Sequence, residues 1–486
     1  MKLPHISIDV EYREEPSSSL GSMSWPLIAG FALHWAWVYL VQFNGAYLLY
    51  PEVAGERELF FSASLIVFAI IPLCYGLFLE PVRTLFATPW QRVRNRTTAA
   101  ILTSVGTILM ALAGFAPAYV GPIAIVAGVL TGVGSAVLLM SYGVSFSVCD
   151  IATASTCTAL GLFAATLAFS SLMLIGTAAP PVAALIAVLI PFGELACLNR
   201  CSRQLVDKLE FITLTIPVRT APLAMRISLP CLVFGLVLGI ARDRSIADCQ
   251  TAGGIAFIAI FAASAAVCLL ILGAMLFQRG TSNFMFRTLM PVAAACIALI
   301  ALDGQMDAGV IVALHFGVYL IFEACMWVMA ADLSQRFRIS AFTVFGFSRG
   351  TLALGALFGH MAIASSSFSG AGADVGTLSV LIFTLIVLGT ALLPSNAELR
   401  RCLKRGRWCP AFIAPDEYSV VNRESSPQDA AGRTFDSGES PLRHAPSMPE
   451  HPSERGAVER SPSAASPSPL PTGPTPPADG ESEKRK

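Results

Sequence analysis

The chain has 486 residues, 55% of them hydrophobic and 13% charged, with a formal net charge of zero. Soluble domains carry about 25% charged residues. Here residues 1–20 hold 6 of the charges and residues 395–486 hold 26, which leaves 32 for the 374 residues between. A middle that poor in charge excludes a water-soluble enzyme, a disulfide-stapled secreted domain and a nucleic-acid-binding domain, and the balanced charge offers no basic field to nucleic acid.

Residues 1–24 form a polar N-terminus, expected on the cytoplasmic side. It is no cleavable signal peptide, because its first 20 residues are net acidic and the apolar run that follows is longer than an h-region. A bilayer-spanning helix needs about 20 mostly apolar residues. Twelve such runs follow, at 25–50, 58–80, 98–117, 119–144, 151–176, 179–198, 224–242, 250–277, 287–303, 307–331, 340–364 and 374–394. Pro117, Gly121 and Pro122 split the third from the fourth, and Pro180 and Pro181 split the fifth from the sixth, as tight turns do. The expected fold is all-α: a polytopic membrane protein with 12 transmembrane helices.

The longest link, 199–223, divides the runs into a first six-helix half, 25–198, and a second, 224–394. In each half the link after the second helix is basic, at Arg83–Arg96 and at Arg279–Arg287. Thr158-Ala-Leu-Gly161 in run five is echoed by Leu352-Ala-Leu-Gly355 in run eleven. These features predict a duplicated six-plus-six bundle. Residues 395–486 are expected to be a largely disordered cytoplasmic tail, because the Pro/Ser/Ala/Gly-rich stretch buries too little apolar surface to offset ordering entropy.

Lysine and arginine set the orientation. With a cytoplasmic N-terminus, that side receives Lys2, Arg13, Arg83, Arg92, Arg94, Arg96, Arg200, Arg203, Lys208, Arg219, Arg226, Arg279, Arg287, Arg336, Arg338 and the cluster Arg400, Arg401, Lys404, Arg405 and Arg407. The other side receives Arg57, Arg242 and Arg244. Both termini are therefore expected in the cytoplasm, in the inner membrane. The cluster after run twelve reads as a membrane-surface patch lying on an anionic leaflet.

Twelve helices in two halves resemble the major facilitator superfamily, and the resemblance implies a major-facilitator-like bundle. Of that superfamily's loop signature, Gly76 and Glu80 stand at the right spacing, while Pro81, Val82 and Arg83 replace the second glycine and its paired basics. Gly128-Val-Leu-Thr-Gly132-Val-Gly134 running to Gly143, Phe322-Glu323-Ala-Cys-Met-Trp327 running through Asp332, and Val344-Phe-Gly-Phe-Ser-Arg349-Gly350 resemble the membrane domain of LuxR-type membrane-bound transcriptional regulators. The resemblance covers residues 25–395. The regulators' C-terminal helix-turn-helix has no counterpart here. The tail has the composition that out-of-frame translation of GC-rich DNA gives, which fits a chain that has lost its DNA-binding domain by a frameshift or a recombination; the alternative is a genuine disordered tail.

Few ionisable groups lie inside the apolar runs, and each costs about 2.5–3.5 kcal/mol on insertion scales. They are His34, His315, Glu323, Arg349 and His360, with Glu194 nearer a helix end. In facilitator-like folds helices one, four, seven and ten line the central cavity, so the resemblance makes His34, Gln42, Asn44, His315 and Glu323 candidate ligand-binding residues. Glu194 and His360 are expected to snorkel toward an interface. Glu323 and Arg349 each stand nine residues from a turn expected over Asp332–Ser340, hence at one depth, and are expected to form a structural ion pair. Gly128-x-x-x-Gly132 reads as helix packing rather than a nucleotide motif.

No catalytic constellation is present, so no enzyme and no cofactor are expected. The 12 cysteines include no C-x-x-C pair, and no metal site is expected. The expected partners are the lipid bilayer and an unknown small molecule, with no nucleic acid contacted. The function expected from the regulator resemblance is binding or sensing a small molecule; the alternative is a secondary transporter moving a small solute by alternating access.

Overall fold

The computed structural model describes residues 24–43, 54–78, 82, 85–86, 88–204, 220–252, 255–277, 282–302, 306–337, 339–365 and 375–393. Twelve α-helices occupy them. In the first half these are α1 (Trp25–Val38), α2 (Ala54–Leu77), α3 (Pro89–Leu112), α4 (Val120–Phe146), α5 (Ile151–Ala178) and α6 (Pro180–Gln204). The second half has α7 (Thr220–Ala252), α8 (Ile255–Phe277), α9 (Ser282–Leu302), α10 (Ala308–Phe337), α11 (Ala341–Ser365) and α12 (Val375–Leu392). A π-helical turn, Tyr39–Phe43, continues α1. There is no strand among the described residues.

Within the described residues, eight helices are long and apolar enough to cross a membrane, and the apolar stretches of α1, α8, α9 and α12 are shorter. The protein is inside-out relative to a soluble one. Ile258, Leu269, Leu174 and Leu185 stand well exposed, whereas Glu194, Arg242, Glu323, Asp332 and Arg349 are buried. Hydrocarbon favours that arrangement, since lipid solvates Leu but not a charge. Buried hydroxyls turn inward on their own helices: Thr107, Thr131, Thr158 and Thr166 each donate to the carbonyl four residues back.

Packing repeats with the halves. In the first, α1 packs on α5 and α6, α2 on α4, and α3 on α4 and α6; six helices on, α7 packs on α11 and α12, α8 on α10, and α9 on α10 and α12. The halves meet where α2 lies on α11 and α5 lies on α8 and α10. This is a major-facilitator-like six-plus-six bundle.

Glycines permit the closest crossings. Gly235 and Gly239 of α7 lie under the carbonyls of Leu352 and Ala356, while Gly355 and Gly359 of α11 face those of Leu232 and Leu236. Any Cβ there would strike backbone. Gly128 and Gly132 of α4 serve α2 in the same way, against the Phe60 and Ser64 carbonyls. Gly161 and Gly355, the echoed pair, occupy corresponding places, one on α1 through Phe31 and the other on α7.

Helix ends differ from the hydropathy boundaries. α3 starts at Pro89 rather than 98, because Thr88 and Gln91 form a capping box with proline at the first helical position. α6 continues to Gln204, into the expected link, and α7 runs on to Ala252. Charged residues end an apolar run without ending a helix. The turn expected at Asp332 starts only after Phe337, where Ser334 accepts from the Ile339 amide and its hydroxyl donates to the Ile339 carbonyl. Asn44, the remainder of run one, Glu80, Pro81, Arg83 and the cluster Arg400, Arg401, Lys404, Arg405 and Arg407 lie outside the described residues, as do positions 205–219 and 394–486.

Candidate functional site at the seam between the halves

Two buried acid–base pairs flank the seam. On α1, His34 Nδ1 lies 2.8 Å from Glu194 Oε1 of α6, with both side chains at most 2% exposed. On α10, Glu323 Oε2 accepts from Arg349 Nη1 of α11 at 2.5 Å. The guanidinium also lies 4.3 Å from the ring centroid of Trp327. Trp327 follows Glu323 by one helical turn, so a single face of α10 presents a carboxylate and an indole to the same cation. With the late turn, Glu323 stands fourteen residues before the end of α10 and Arg349 eight after the start of α11. The two do not share a depth measured from the turn.

Aromatic rings join the pairs across the seam. Phe31 of α1 contacts Trp327 of α10 at 4.9 Å between centroids, Tyr142 of α4 at 5.9 Å and Phe146 at 5.0 Å. His34 lies 5.9 Å from both Trp35 and Tyr142. One turn along, Trp35 meets Tyr319, and Tyr39 meets Phe316 and Tyr319. α1 and α4 from one half and α10 and α11 from the other thus share one continuous cluster.

Of the candidate ligand-binding residues, His34 and Glu323 therefore belong to opposite walls of this cluster. His315 is buried on α10. Gln42 falls in the π-helical turn, its side chain outside the described residues. Glu194 does not snorkel: it is buried, because His34 supplies its partner. Sequence reading passed over Trp35 and Tyr142, whose large side chains look like ordinary core; the available signal was that both sit on helices expected to line the cavity.

A second ionic group closes one end of the seam. Arg242 Nη1 of α7 reaches Asp243 Oδ1 at 2.6 Å and Glu58 Oε2 of α2 at 3.5 Å. His360 of α11 meets Asp243 Oδ2 through Nδ1 at 2.7 Å and Glu58 Oε2 through Nε2 at 3.5 Å. The Phe61 ring of α2 lies against both Arg242 and His360. His360 is thus buried and bound rather than snorkelling. Glu58, Asp243 and His360 bring three ligand-type atoms within 4.8 Å of one another. The Arg242 guanidinium already reaches both carboxylates there, which suits an ion-pair network better than a cation site. His360 and Arg349 stand eleven residues apart on α11, about 16 Å along its axis.

No protein-family model matches the chain, and no curated protein matches it either. Solved structures do. The human organic anion transporter TETRAN aligns over 76% of this chain and 98% of its own, at 12% identity and a TM-score of 0.53. A bacterial homologue of the iron transporter ferroportin, in its outward-facing state, aligns over 76% of this chain and 97% of its own, at 12% identity and a TM-score of 0.54. At such identity the likeness is one of fold: this chain is a multi-pass membrane protein with a major-facilitator-like bundle.

Proposed function

We propose that the chain is a secondary transporter that moves a small solute by alternating access, with the solute held at the aromatic and ionic cluster between the halves. One observation carries this reading: buried polar and aromatic side chains of α1, α4, α10 and α11 converge on the seam, and polar groups inside a membrane mark solute or ion paths more often than they stabilise. The Glu58–Arg242–Asp243–His360 group ties α2 to α7 and α11 at one end, so opening that end requires breaking it. With the termini in the cytoplasm of the inner membrane, as the basic residues argue, this is the external end.

Uptake into proteoliposomes tests the function: solute flux above that of protein-free vesicles supports it, and ligand binding with no flux overturns it. Binding without flux would favour the second reading, a sensor derived from the membrane part of LuxR-type regulators, which rests on the residue patterns in α4, α10 and α11. Orientation is tested separately. A reporter fused after residue 398 should be active in the cytoplasm and one fused at Gly304 outside; the reverse at either site overturns the topology.

A further inference from the structure

The seam cluster holds polar atoms that the protein itself does not satisfy. Trp35 Nε1, Trp327 Nε1, Arg349 Nε and Nη2, Tyr142 Oη and His34 Nε2 are all buried without a hydrogen-bond partner. They belong to one body of contacts. Arg349 lies on Trp327, Trp327 on Phe31, Phe31 on Tyr142 and Trp35, and His34 on both of these. An indole N–H and a guanidinium N–H can only donate, whereas a phenol or an imidazole nitrogen can donate or accept. Four of the six atoms are therefore obligate donors, and none is an obligate acceptor. The carboxylates in reach are engaged, Glu323 by Arg349 and Glu194 by His34. Buried donors without acceptors cost several kcal/mol each in a membrane interior, so the cluster lacks an acceptor-rich group.

From this we infer that the transported solute is an organic anion with a flat apolar body, of the aryl or arylalkyl carboxylate class. A carboxylate offers about four acceptor sites, enough for several of these donors. Phe31, Phe146, Tyr142 and the two indoles supply faces and edges for a ring. An organic cation would find both carboxylates occupied and no unpartnered obligate acceptor in the cluster. The inference rests on the transporter reading of the same cluster.

The test uses purified full-length protein with benzoate, phenylacetate and indole-3-acetate, beside benzylamine and benzyl alcohol as cationic and neutral matches. Equilibrium binding and proteoliposome flux are measured for each. At least one carboxylate should bind and be transported, and the amine and alcohol should do neither. Tyr142→Phe deletes one donor and keeps the ring, while Trp327→Phe deletes one donor and leaves a smaller ring. Each should weaken carboxylate binding about tenfold, the scale of one hydrogen bond to a charged group, with the melting temperature of Tyr142→Phe near that of the parent and that of Trp327→Phe lowered by the cavity. Arg349→Lys keeps a cation for Glu323 but removes the fixed Nε and Nη2 donors of the guanidinium fork, and should weaken binding at least as much.

Binding of the amine in preference to every carboxylate, or carboxylate binding untouched by all three substitutions, overturns the anion assignment while leaving transport standing. Carboxylate binding that is lost in the variants, with no flux in the parent, keeps the anion assignment and overturns transport. No binding and no flux of any probe overturns both.

Discussion

In the first half α1 is held to α6 by the buried pair His34–Glu194; in the second half the corresponding helices, α7 and α12, meet with the Phe234 ring lying on Gly389. The second half places its own pair between α10 and α11, and the corresponding helices of the first half, α4 and α5, contain no Asp, Glu, Lys, Arg or His. The contacts between helices repeat while the charges do not. What repeats is what a six-helix unit needs to close upon itself, chiefly small residues at crossings and apolar faces outward. What does not repeat is released from that duty, and it gathers at the seam.

This contrast can be broken in three ways, from the largest expected effect to the smallest. If the ionic pairs are true partners, Glu323→Gln and Arg349→Gln should each destabilise the protein by about 3–5 kcal/mol, because each strands a buried charge. The double variant should recover part of the loss in a mixed-detergent unfolding titration. Purely additive losses would show two independent charges. The same cycle on His34 and Glu194 measures whether the first half depends on its pair to the same degree.

Glycine substitutions come next. Gly235→Ala and Gly355→Ala drive a methyl into backbone carbonyls, which cannot swing aside, and should cost roughly 1–3 kcal/mol by the same titration. Gly161→Ala meets the Phe31 ring rather than a carbonyl, and a side chain can give by a few tenths of an ångström where backbone cannot, so its cost should be smaller. Equal costs would mean that α1–α5 is packed as rigidly as α7–α11. The smallest effect is expected at Thr158→Val, which keeps the shape of the side chain and removes only a hydroxyl that donates to the Ala154 carbonyl of its own helix. Thermal melting should register a loss of about 0.5–1.5 kcal/mol.

The number, order and halving of the helices were legible in the sequence because lipid demands long apolar runs, and those runs survive without any knowledge of neighbours. The helix ends were less so. Thr88-Pro89-Trp90-Gln91 is a readable start signal, yet a hydropathy boundary at 98 looks past it, since water-exposed helix carries no apolar mark. In the site, each member of the two pairs was visible as a lone charge in an apolar run. Glu323 and Arg349 share a hairpin, which brings them within reach by local geometry. His34 and Glu194 are separated by 160 residues, and no periodicity links α1 to α6. The Glu58–Arg242–Asp243–His360 group draws on three helices from both halves, and composition alone assigns its members to the edge of the bilayer.

The contact of α2 with α11 has a mechanical corollary. A Cβ on Gly346 would meet the Pro72 carbonyl oxygen at 2.5 Å, and one on Gly350 the Ala69 carbonyl oxygen at 2.9 Å. Backbone therefore faces backbone across the boundary between the halves. Interlocked side chains would have to climb out of their sockets before one half could shift on the other. At these two points there is no socket to leave, whereas further along the same crossing Phe61, Leu65 and Ala69 of α2 pack on Ala353 and Leu357 of α11. Any shift of one half on the other is therefore resisted by those side chains and by the ionic group beside them, not by the glycine contacts.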